Sequence, residues 1–152
     1  MPTHYRGKPA DVLALDAFIK LMRAADSVYA DLHRQLAGLG LTHGRLAVLE
    51  ALLHLGPMSQ QQLAGKIMRS SSNVTTVIDN LEKQGLVRRT RRTSDRRVVD
   101  VSLTAAGRRH IETRFPQHVL RIQQLFGALS DAEQRTLGRL CRKLGRAAAG
   151  AT

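Results

Sequence analysis

The spacing of apolar residues changes once along this chain, and that change restricts the possible folds more than any other feature. Before Gly85 and after Thr104, apolar residues recur every three or four positions, which predicts helices. Between these points the period falls to two, first in a short β-like run and then in strict alternation up to Leu103. The sequence therefore predicts a mainly α protein of the α+β class with one small β-hairpin, whose strands cover Leu86–Arg89 and Val98–Leu103.

Helix signals divide the part before the hairpin into four helices. A heptad-like stripe from Leu15 to Leu36 predicts a long first helix that begins at Asp11 and ends at Gly38 and Gly40. Polar cap residues precede the second, third and fourth helices. The second and fourth helices of the chain stop at glycine. The caps are Thr42, the capping box Ser59-Gln60-Gln61-Gln62, and one of the serines Ser70 to Ser72; the stops are Gly56-Pro57 and Gly85.

Two further helices follow the hairpin. Thr104 caps the first of them, which contains Pro116. Because a proline inside a helix removes one hydrogen bond, we expect a bend near Thr113–Pro116, or a break. Ser130-Asp131-Ala132-Glu133 reads as a second capping box and begins the last helix.

Basic residues concentrate around the hairpin. The chain has a net charge of +12, and residues 66–114 hold 12 of its 24 Lys and Arg against five Asp and Glu. Six of the ten residues from Arg88 to Arg97 are arginine, and the turn "TRRTSDRR" puts most of them at the hairpin tip. Such an excess indicates an anionic partner, nucleic acid more readily than an acidic membrane surface.

Residues 59–84 have the pattern of a helix-turn-helix motif, and the hairpin that follows corresponds to a wing. A helix of this kind fits the major groove of DNA, and its N-terminus offers free N–H groups to a phosphate. Short hydrogen-bonding residues crowd that end of the predicted helix. The candidate DNA contacts are Ser70, Ser71, Ser72, Asn73, Thr75 and Thr76, of which Asn73, Thr75 and Thr76 are candidates for base edges; Asn80, one turn further on, is a candidate for a phosphate.

Four segments together resemble the multiple antibiotic resistance regulator (MarR) family. They are "LTHGRLAVLEALLHLGPMSQQQLAGKI", "SSSNVTTVIDNLEKQGLVRR", "SDRRVVDVSLTAAG" and "LSDAEQRTLGRL", and the resemblance extends roughly from Asp11 to Arg146. It implies a winged helix-turn-helix DNA-binding region over residues 41–104 on a helical dimerisation region formed by residues 1–40 and 105–152. The implied function is that of a sequence-specific transcriptional regulator, a homodimeric repressor on a pseudo-palindromic operator. The resemblance also implies a small phenolic or aromatic effector that loosens binding to double-stranded DNA.

The resemblance also assigns roles within the basic wing. In the family the wing tip enters the minor groove, and the matching motif here is Asp95-Arg96-Arg97. This implies that Arg97 lies in the groove and that Asp95 orients it. A minor-groove arginine responds mainly to groove width and A·T richness. The remaining arginines are expected to contact phosphates: Arg88, Arg89, Arg91, Arg92 and Arg96.

The residues alone also favour a dimer. The apolar stripe of the first helix and that of the last expose more apolar surface than a small core covers, and two-fold symmetry is the usual closed arrangement. Cys141, the only cysteine, is in phase with the leucines of the last helix, which predicts a small buried residue in a dimer core and fits a reducing compartment.

Other kinds of site find little support in the sequence. The six histidines show no metal-ligand spacing, and no nucleophile with a base or phosphate-binding glycine loop is visible, so we expect no metal, no cofactor and no enzymatic activity. Tyr29 and His33 on the first helix are candidates for lining a ligand pocket, with ordinary packing as the alternative. The first thirty residues contain no signal-peptide pattern, and no segment has the length of a membrane span, so we expect a cytoplasmic protein.

Two functions of other classes compete with transcriptional regulation. The first is a ligand-independent architectural or RNA-binding basic protein; an RNA-binding protein normally carries stacking aromatic residues on a sheet, and the hairpin has none. The second is a membrane-surface protein, which needs a basic amphipathic helix. The basic cluster lies in a hairpin instead, which argues against a membrane.

Overall fold

The computed structural model describes residues 2–67 and 73–150, and these residues form six helices and three strands. In chain order the elements are α1 (Pro9–Gly38), α2 (His43–Leu55), β1 (Met58–Ser59), α3 (Gln60–Lys66), α4 (Val74–Lys83), β2 (Val87–Arg91), β3 (Val99–Leu103), α5 (Ala105–Phe126) and α6 (Asp131–Gly150). The architecture confirms the predicted mainly α fold with a β-hairpin, and it adds the short strand β1.

The predicted caps that fall on described residues are confirmed. Each cap side chain accepts a hydrogen bond of 3.0–3.3 Å from the backbone N–H three residues further on, which satisfies a donor that the helix leaves open. These caps are Thr42, Ser59, Thr104 and Ser130. At the other ends, Gly40 and Gly85 adopt a φ of 69°, a left-handed conformation that glycine adopts without strain, just beyond α1 and α4.

The core joins the helix-turn-helix segment to the sheet. Leu49 of α2, Leu63 of α3, Ile78 of α4 and Val101 of β3 are completely buried in one cluster. Burying a side chain of this size stabilises the fold by about 1.5–3 kcal/mol. Because α4 inserts its apolar side between α2 and the sheet, its opposite side is left at the surface.

The sheet has three antiparallel strands in the order β1-β3-β2. Met58 pairs with Val101, and Ser59 pairs with Asp100. The sequence pattern predicts no strand at β1, because two residues are too few to display a period.

The hairpin strands also shift relative to their predicted bounds. β2 begins at Val87 and continues to Arg91, so Thr90 and Arg91 belong to the strand and not to the turn. The reason is that the ladder continues, with Thr90 opposite Asp100 and Arg91 opposite Val99.

The chain divides between His118 and Val119 into two compact units. The first contains α1 to α4, the sheet and the beginning of α5; the second contains the rest of α5 and α6. α5 runs through Pro116 without interruption, so the predicted break is wrong. A proline removes only one backbone hydrogen bond, and the helical turns on both sides persist. The bend, and the assignment of residues 1–40 and 105–152 to dimerisation, stay predictions.

Within the described ranges, no single helix is long and apolar enough to cross a membrane. α1 and α2 reach the necessary length and hydropathy only when taken together across their 78° bend. Four residues of α2 are buried in the core instead: Leu46, Val48, Leu49 and Leu52.

Candidate nucleic-acid interface

α4 has a polar face opposite the face that packs in the core. Val74, Ile78 and Leu81 are buried, and Val77 packs against the same cluster, as predicted. The polar residues at the start of the helix and along its outer side are exposed: Asn73, Thr75, Thr76 and Asn80. Asn73 occupies the N-cap position, but its side chain makes no capping hydrogen bond. The predicted serine cap, and the candidate contacts Ser70, Ser71 and Ser72, lie outside the described residues.

An open cleft of about 670 Å³ separates the helix-turn-helix segment from the wing, which comprises β2, β3 and the turn between them. Gln60 and Thr75 line its helical side. Arg92 and Arg97 line the opposite side, together with Val98 and Val99. The two elements that sequence analysis assigned to DNA thus border one surface depression.

Arg97 and Asp95 form a local pair at the tip of the wing. Asp95 Oδ1 accepts hydrogen bonds from the backbone N of Arg97 at 3.0 Å and from its Nε at 3.2 Å. The Arg97 side chain nevertheless stays 91% exposed, so its guanidinium is oriented but not covered. Hydrogen bonds from the Arg97 side chain, and then from its backbone, hold the pKa of Asp95 below its usual value, and Asp95 therefore remains a carboxylate.

Arg92 is held in a second pair, just after β2. Its Nε and Nη2 donate to the two carboxylate oxygens of Asp100 at 3.0 and 2.7 Å. The hydrogen bonds from Arg92 lower the pKa of Asp100, and those to Asp100 raise the pKa of Arg92. Such a two-point contact fixes the plane of the guanidinium as well as its place.

Arg89 differs from the other wing arginines because it points toward the helices. Its side chain is 22% exposed and lies between two carboxylates of α4, those of Asp79 and Glu82. Gln60 and the backbone oxygen of Thr75 also accept hydrogen bonds from it. In contrast, Arg88, Arg91 and Arg96 are exposed and form no ion pair with any described residue.

The two candidate ligand-pocket residues lie together on α1, beside a histidine of α2. The rings of Tyr29 and His43 stack with centroids 4.0 Å apart, and His33 lies 5.9 Å from the same His43 ring. Tyr29 is 40% exposed, so one side of this aromatic cluster faces solvent. Sequence analysis did not single out His43, because its contact with Tyr29 depends on how α2 folds back against α1.

Cys141 is exposed in the single chain, so the predicted burial requires a second chain and stays a prediction. Among the described residues, no three His, Cys, Asp or Glu side chains gather in a way that could hold a metal ion.

Gln60, like the carboxylate partners Asp79, Glu82 and Asp100, is a residue of the site that the sequence pattern did not indicate. It lies in the run Ser59-Gln60-Gln61-Gln62, where the pattern identified only Ser59 and Gln62 as a capping pair. Nothing in the run distinguishes Gln60 from Gln61. Only the folded structure brings Gln60 next to Thr75 and Arg89.

Residues 41–99 match the family model described as the MarR family. The chain is 36% identical over 132 residues to an uncharacterized HTH-type transcriptional regulator of Bacillus subtilis, YkoM, and the match covers 87% of this chain and 86% of the relative. It is 28% identical over 141 residues to the HTH-type transcriptional repressor MdtR of the same organism, covering 93% of this chain and 91% of the relative.

Solved structures give the same result. Sco3205, a MarR family regulator from Streptomyces coelicolor solved in complex with DNA, superposes with a TM-score of 0.82 at 26% identity and covers 95% of this chain and 91% of its own. BpsR from Bordetella bronchiseptica, solved in work on the regulation of its DNA binding by 6-hydroxynicotinic acid, superposes with a TM-score of 0.76 at 29% identity, covering 85% and 98%. The fold, the exposed face of α4 and these matches lead to one conclusion: the chain belongs to the MarR family of winged helix-turn-helix proteins and is a DNA-binding transcriptional regulator, not an enzyme.

Proposed function

We propose that this regulator is a cytoplasmic homodimer that represses transcription from a pseudo-palindromic DNA site and is released by a small aromatic ligand. The observation that carries the DNA-binding part is the cleft of about 670 Å³ that α4 and the wing border together. A duplex that lies across the mouth of this cleft brings a major groove to α4 and the adjacent minor groove to the wing tip.

The exposed residues then divide by the part of DNA that they meet. Asn73, Thr75 and Thr76 face base edges, with Asn80 at a phosphate and Ser70, Ser71 and Ser72 near the helix start. Arg97, oriented by Asp95, enters the minor groove. Arg88, Arg91 and Arg96 have no carboxylate partner among the described residues, so they contact phosphates at no cost in broken ion pairs. Arg92, while it stays paired with Asp100, contacts a phosphate as well.

Exposed apolar side chains support the proposal of a dimer. On α1, Leu15, Phe18 and Met22 are 37–59% exposed, although their spacing is that of a packed helix face. On α6, Leu137, Leu140 and Leu144 are 36–54% exposed. Large apolar patches on an isolated chain mark interaction surfaces, and a second copy of the chain covers both most simply. Cys141 lies on the same helix and becomes buried in that dimer.

The aromatic cluster of Tyr29, His33 and His43 supports the proposal that a small aromatic ligand binds. Its stacked, partly exposed rings provide a surface on which another flat ring stacks. BpsR, whose DNA binding 6-hydroxynicotinic acid regulates, supplies the class of compound to try first. The repressor assignment draws on MdtR, a transcriptional repressor with 28% identity to this chain.

The test begins with selection of bound duplexes from a random DNA pool by the purified protein. We expect the selected duplex to bind about 10³-fold more tightly than random DNA, with log K falling steeply against log salt by about 0.9 per phosphate contact. Equal binding of random DNA, or tighter binding of single-stranded RNA, would instead indicate an architectural or RNA-binding protein.

The same duplex tests the effector. Titration with 6-hydroxynicotinic acid and with simple phenols is expected to release it from the wild-type protein. Tyr29→Ala is expected to reduce that release, whereas Tyr5→Ala, an exposed tyrosine outside the aromatic cluster, is not. Release that is unaffected by Tyr29→Ala would remove the cluster from the proposal.

A further inference from the structure

Arg89 lies at the centre of a network that joins β2 to α4 and α3. Its Nη2 is 2.6 Å from Asp79 Oδ1, and its Nη1 is 3.4 Å from Glu82 Oε1. The backbone N of Arg89 also donates to Glu82 Oε2 at 3.0 Å. Two carboxylates thus neutralise this guanidinium, and a DNA phosphate would have to compete with both of them. Arg89 is therefore poorly placed for the phosphate contact that sequence analysis assigned to it.

The Nε atom of the same guanidinium fixes the side-chain amide of Gln60. Arg89 Nε donates to Gln60 Oε1 at 3.3 Å. Because a guanidinium can only donate hydrogen bonds, the amide oxygen of Gln60 has to face it. The amide NH₂ of Gln60 then faces α4, where its Nε2 donates to Thr75 Oγ1 at 2.9 Å. Arg89 thus determines that Thr75 contacts the NH₂ group of the Gln60 amide and not its oxygen.

This arrangement decides the hydrogen-bonding role of Thr75. A threonine hydroxyl can accept hydrogen bonds and donate one. Here its oxygen already accepts from Gln60, and no acceptor among residues 2–67 and 73–150 takes its proton. Thr75 is exposed and lines the cleft between α4 and the wing. Its hydroxyl is therefore set to donate outward.

We infer that Arg89 and Gln60 are positioning residues that make Thr75 a hydrogen-bond donor toward DNA. The DNA group opposite Thr75 is then an acceptor: N7 of a purine, O6 of guanine or O4 of thymine on a base edge, or a phosphate oxygen. A base such as cytosine, which offers an N4 amino donor in the major groove, is disfavoured there. This inference rests on the proposed DNA-binding mode and adds the chemical role of one residue within it.

The decisive substitution is Gln60→Glu, which keeps the size of the side chain and its attraction for Arg89. The new carboxylate has no N–H, so the hydroxyl of Thr75 turns to donate to it. That hydroxyl is then no longer available to donate to DNA. The affinity for the selected duplex is measured in a double-mutant cycle with Thr75→Val, which removes the hydroxyl altogether. We expect Gln60→Glu to weaken binding at least tenfold in the wild-type background and no more than about threefold in the Thr75→Val background.

Gln61→Glu provides the charge-matched control. It adds the same charge at the next residue of α3, where no contact with Thr75 exists. Its effect on affinity is expected to be the same with and without Thr75→Val. The inference is overturned if the effects of Gln60→Glu and Thr75→Val are additive, or if Thr75→Val by itself has no effect. In either case, wild-type binding to the selected duplex leaves the proposed function intact. Failure of the wild-type protein to select any duplex would instead remove the proposed function, and the inference with it.

A second pair of variants tests Arg89 and guards against a simple folding defect. Arg89→Lys keeps the charge but cannot reach Gln60 and both carboxylates at once, and Arg88→Lys makes the same change on the exposed side of β2. We expect Arg89→Lys to weaken binding severalfold, with the same dependence on Thr75, and to relax the base preference opposite Thr75 in a repeated selection. Arg88→Lys, at a residue proposed to contact a phosphate, is expected to change affinity by the same factor with and without Thr75→Val and to leave that base preference unaltered. Unchanged preference with uniformly lower affinity would mean that Arg89 is only structural.

Modified DNA distinguishes the two kinds of acceptor. If Thr75 donates to a purine, a 7-deaza analogue at the selected position weakens wild-type binding but not that of Thr75→Val. If it donates to the backbone, a methylphosphonate has that effect instead. Equal sensitivity of both proteins to every modification would overturn the inference.

Discussion

Asp95 brings a negative charge into the arginine-rich tip of the wing, and its hydrogen bonds to Arg97 give that charge a role. It accepts from both the backbone and the side chain of Arg97, which leaves the guanidinium exposed but restricted in direction. Restricting a long side chain before binding reduces the conformational entropy that is lost on binding. Arg97, whose side chain is both restricted in direction and 91% exposed, is thus prepared for a specific contact.

Arg97→Ala is expected to weaken binding to the selected duplex by at least about tenfold, which corresponds to ~1.4 kcal/mol. Arg91→Ala removes the same charge from an exposed and unpaired side chain and is expected to cost only about two- to threefold, with a salt slope lowered by about one. Titrations at one fixed salt concentration compare the two losses in affinity, and titrations repeated at several salt concentrations give the slope. Equal losses would mean that Arg97 is one phosphate contact among several.

Asp95→Asn separates two effects of Asp95 on DNA affinity, the orientation of Arg97 and the repulsion between a carboxylate and DNA. Removing a negative charge close to DNA should strengthen binding if charge alone mattered. We expect weaker binding, by severalfold, because the amide replaces charge-assisted hydrogen bonds to Arg97 with weaker ones. Binding as tight as that of the wild type, or tighter, would show that Asp95 does not orient Arg97.

His118 gives the folded chain a defined response to pH. It is 6% exposed, and its Nδ1 lies 3.1 Å from Gln35 Oε1 on α1. Burial, and then the neighbouring His43, lower the pKa of His118 below 6.5, and burial does the same to the pKa of His110. As the pH falls below about 6.5, the unfolded chain binds protons before the folded chain does, so the free energy of unfolding decreases.

Chemical denaturation at pH 7.5 and at successively lower pH values measures this response. The wild-type protein is expected to lose stability below pH ~6.5, and His118→Gln is expected to lose less over the same interval. His4→Gln, at an exposed position near the N-terminus, is expected to follow the wild type. A stability that does not change with pH in this range would contradict the burial of a neutral His118.

At the scale of elements, the start of α5 is joined tightly to the turn between α4 and β2. A Cβ on Gly107 would lie 1.8 Å from the backbone oxygen of Leu86, which leaves no room for a side chain. Thr104 adds two hydrogen bonds at the same joint, from its backbone N to Leu86 O and from its hydroxyl to Gly85 O. The position of α4 is thereby coupled to that of α5.

Gly107→Ala is expected to destabilise the protein by about 1–3 kcal/mol, because the new methyl group must push α5 away from rigid backbone. Gly145→Ala makes the same change in α6, where nothing lies within 4 Å, and is expected to stabilise the helix by up to about 1 kcal/mol. Thermal or denaturant unfolding compares the two variants. Equal stability of both would contradict the close packing at Leu86.

The elements that could be predicted from the sequence are those with a local signal. Periodicity and polar caps predicted the helices to within a few residues, because both act within one or two turns of the chain. β1 was missed, because its two residues pair with β3 across more than forty positions of sequence. The ion pairs of Arg89 could not be predicted for a similar reason, since its carboxylate partners are visible only once α4 lies beside β2.

For the whole molecule, the proposed dimer links the apolar faces of α1 and α6 to the polar face of α4 that we propose meets DNA. One α4 reads too few bases to select a site, and two copies related by a two-fold axis read a palindrome. The exposed leucines of α6 and apolar residues of α1 are the surfaces available for joining those copies. The apolar stripes of the sequence predict a dimer, which stays a prediction. The geometry of such a pair is set by contacts between two chains and cannot be derived from one of them.

Hydroxyl-radical footprinting of the wild-type protein on the selected duplex shows whether α4 and the wing of two chains bind one DNA site. We expect two protected regions centred about 10 base pairs apart, with additional protection in the flanking minor grooves that disappears in Arg97→Ala. A single protected region, or flanking protection that persists in Arg97→Ala, would contradict the account.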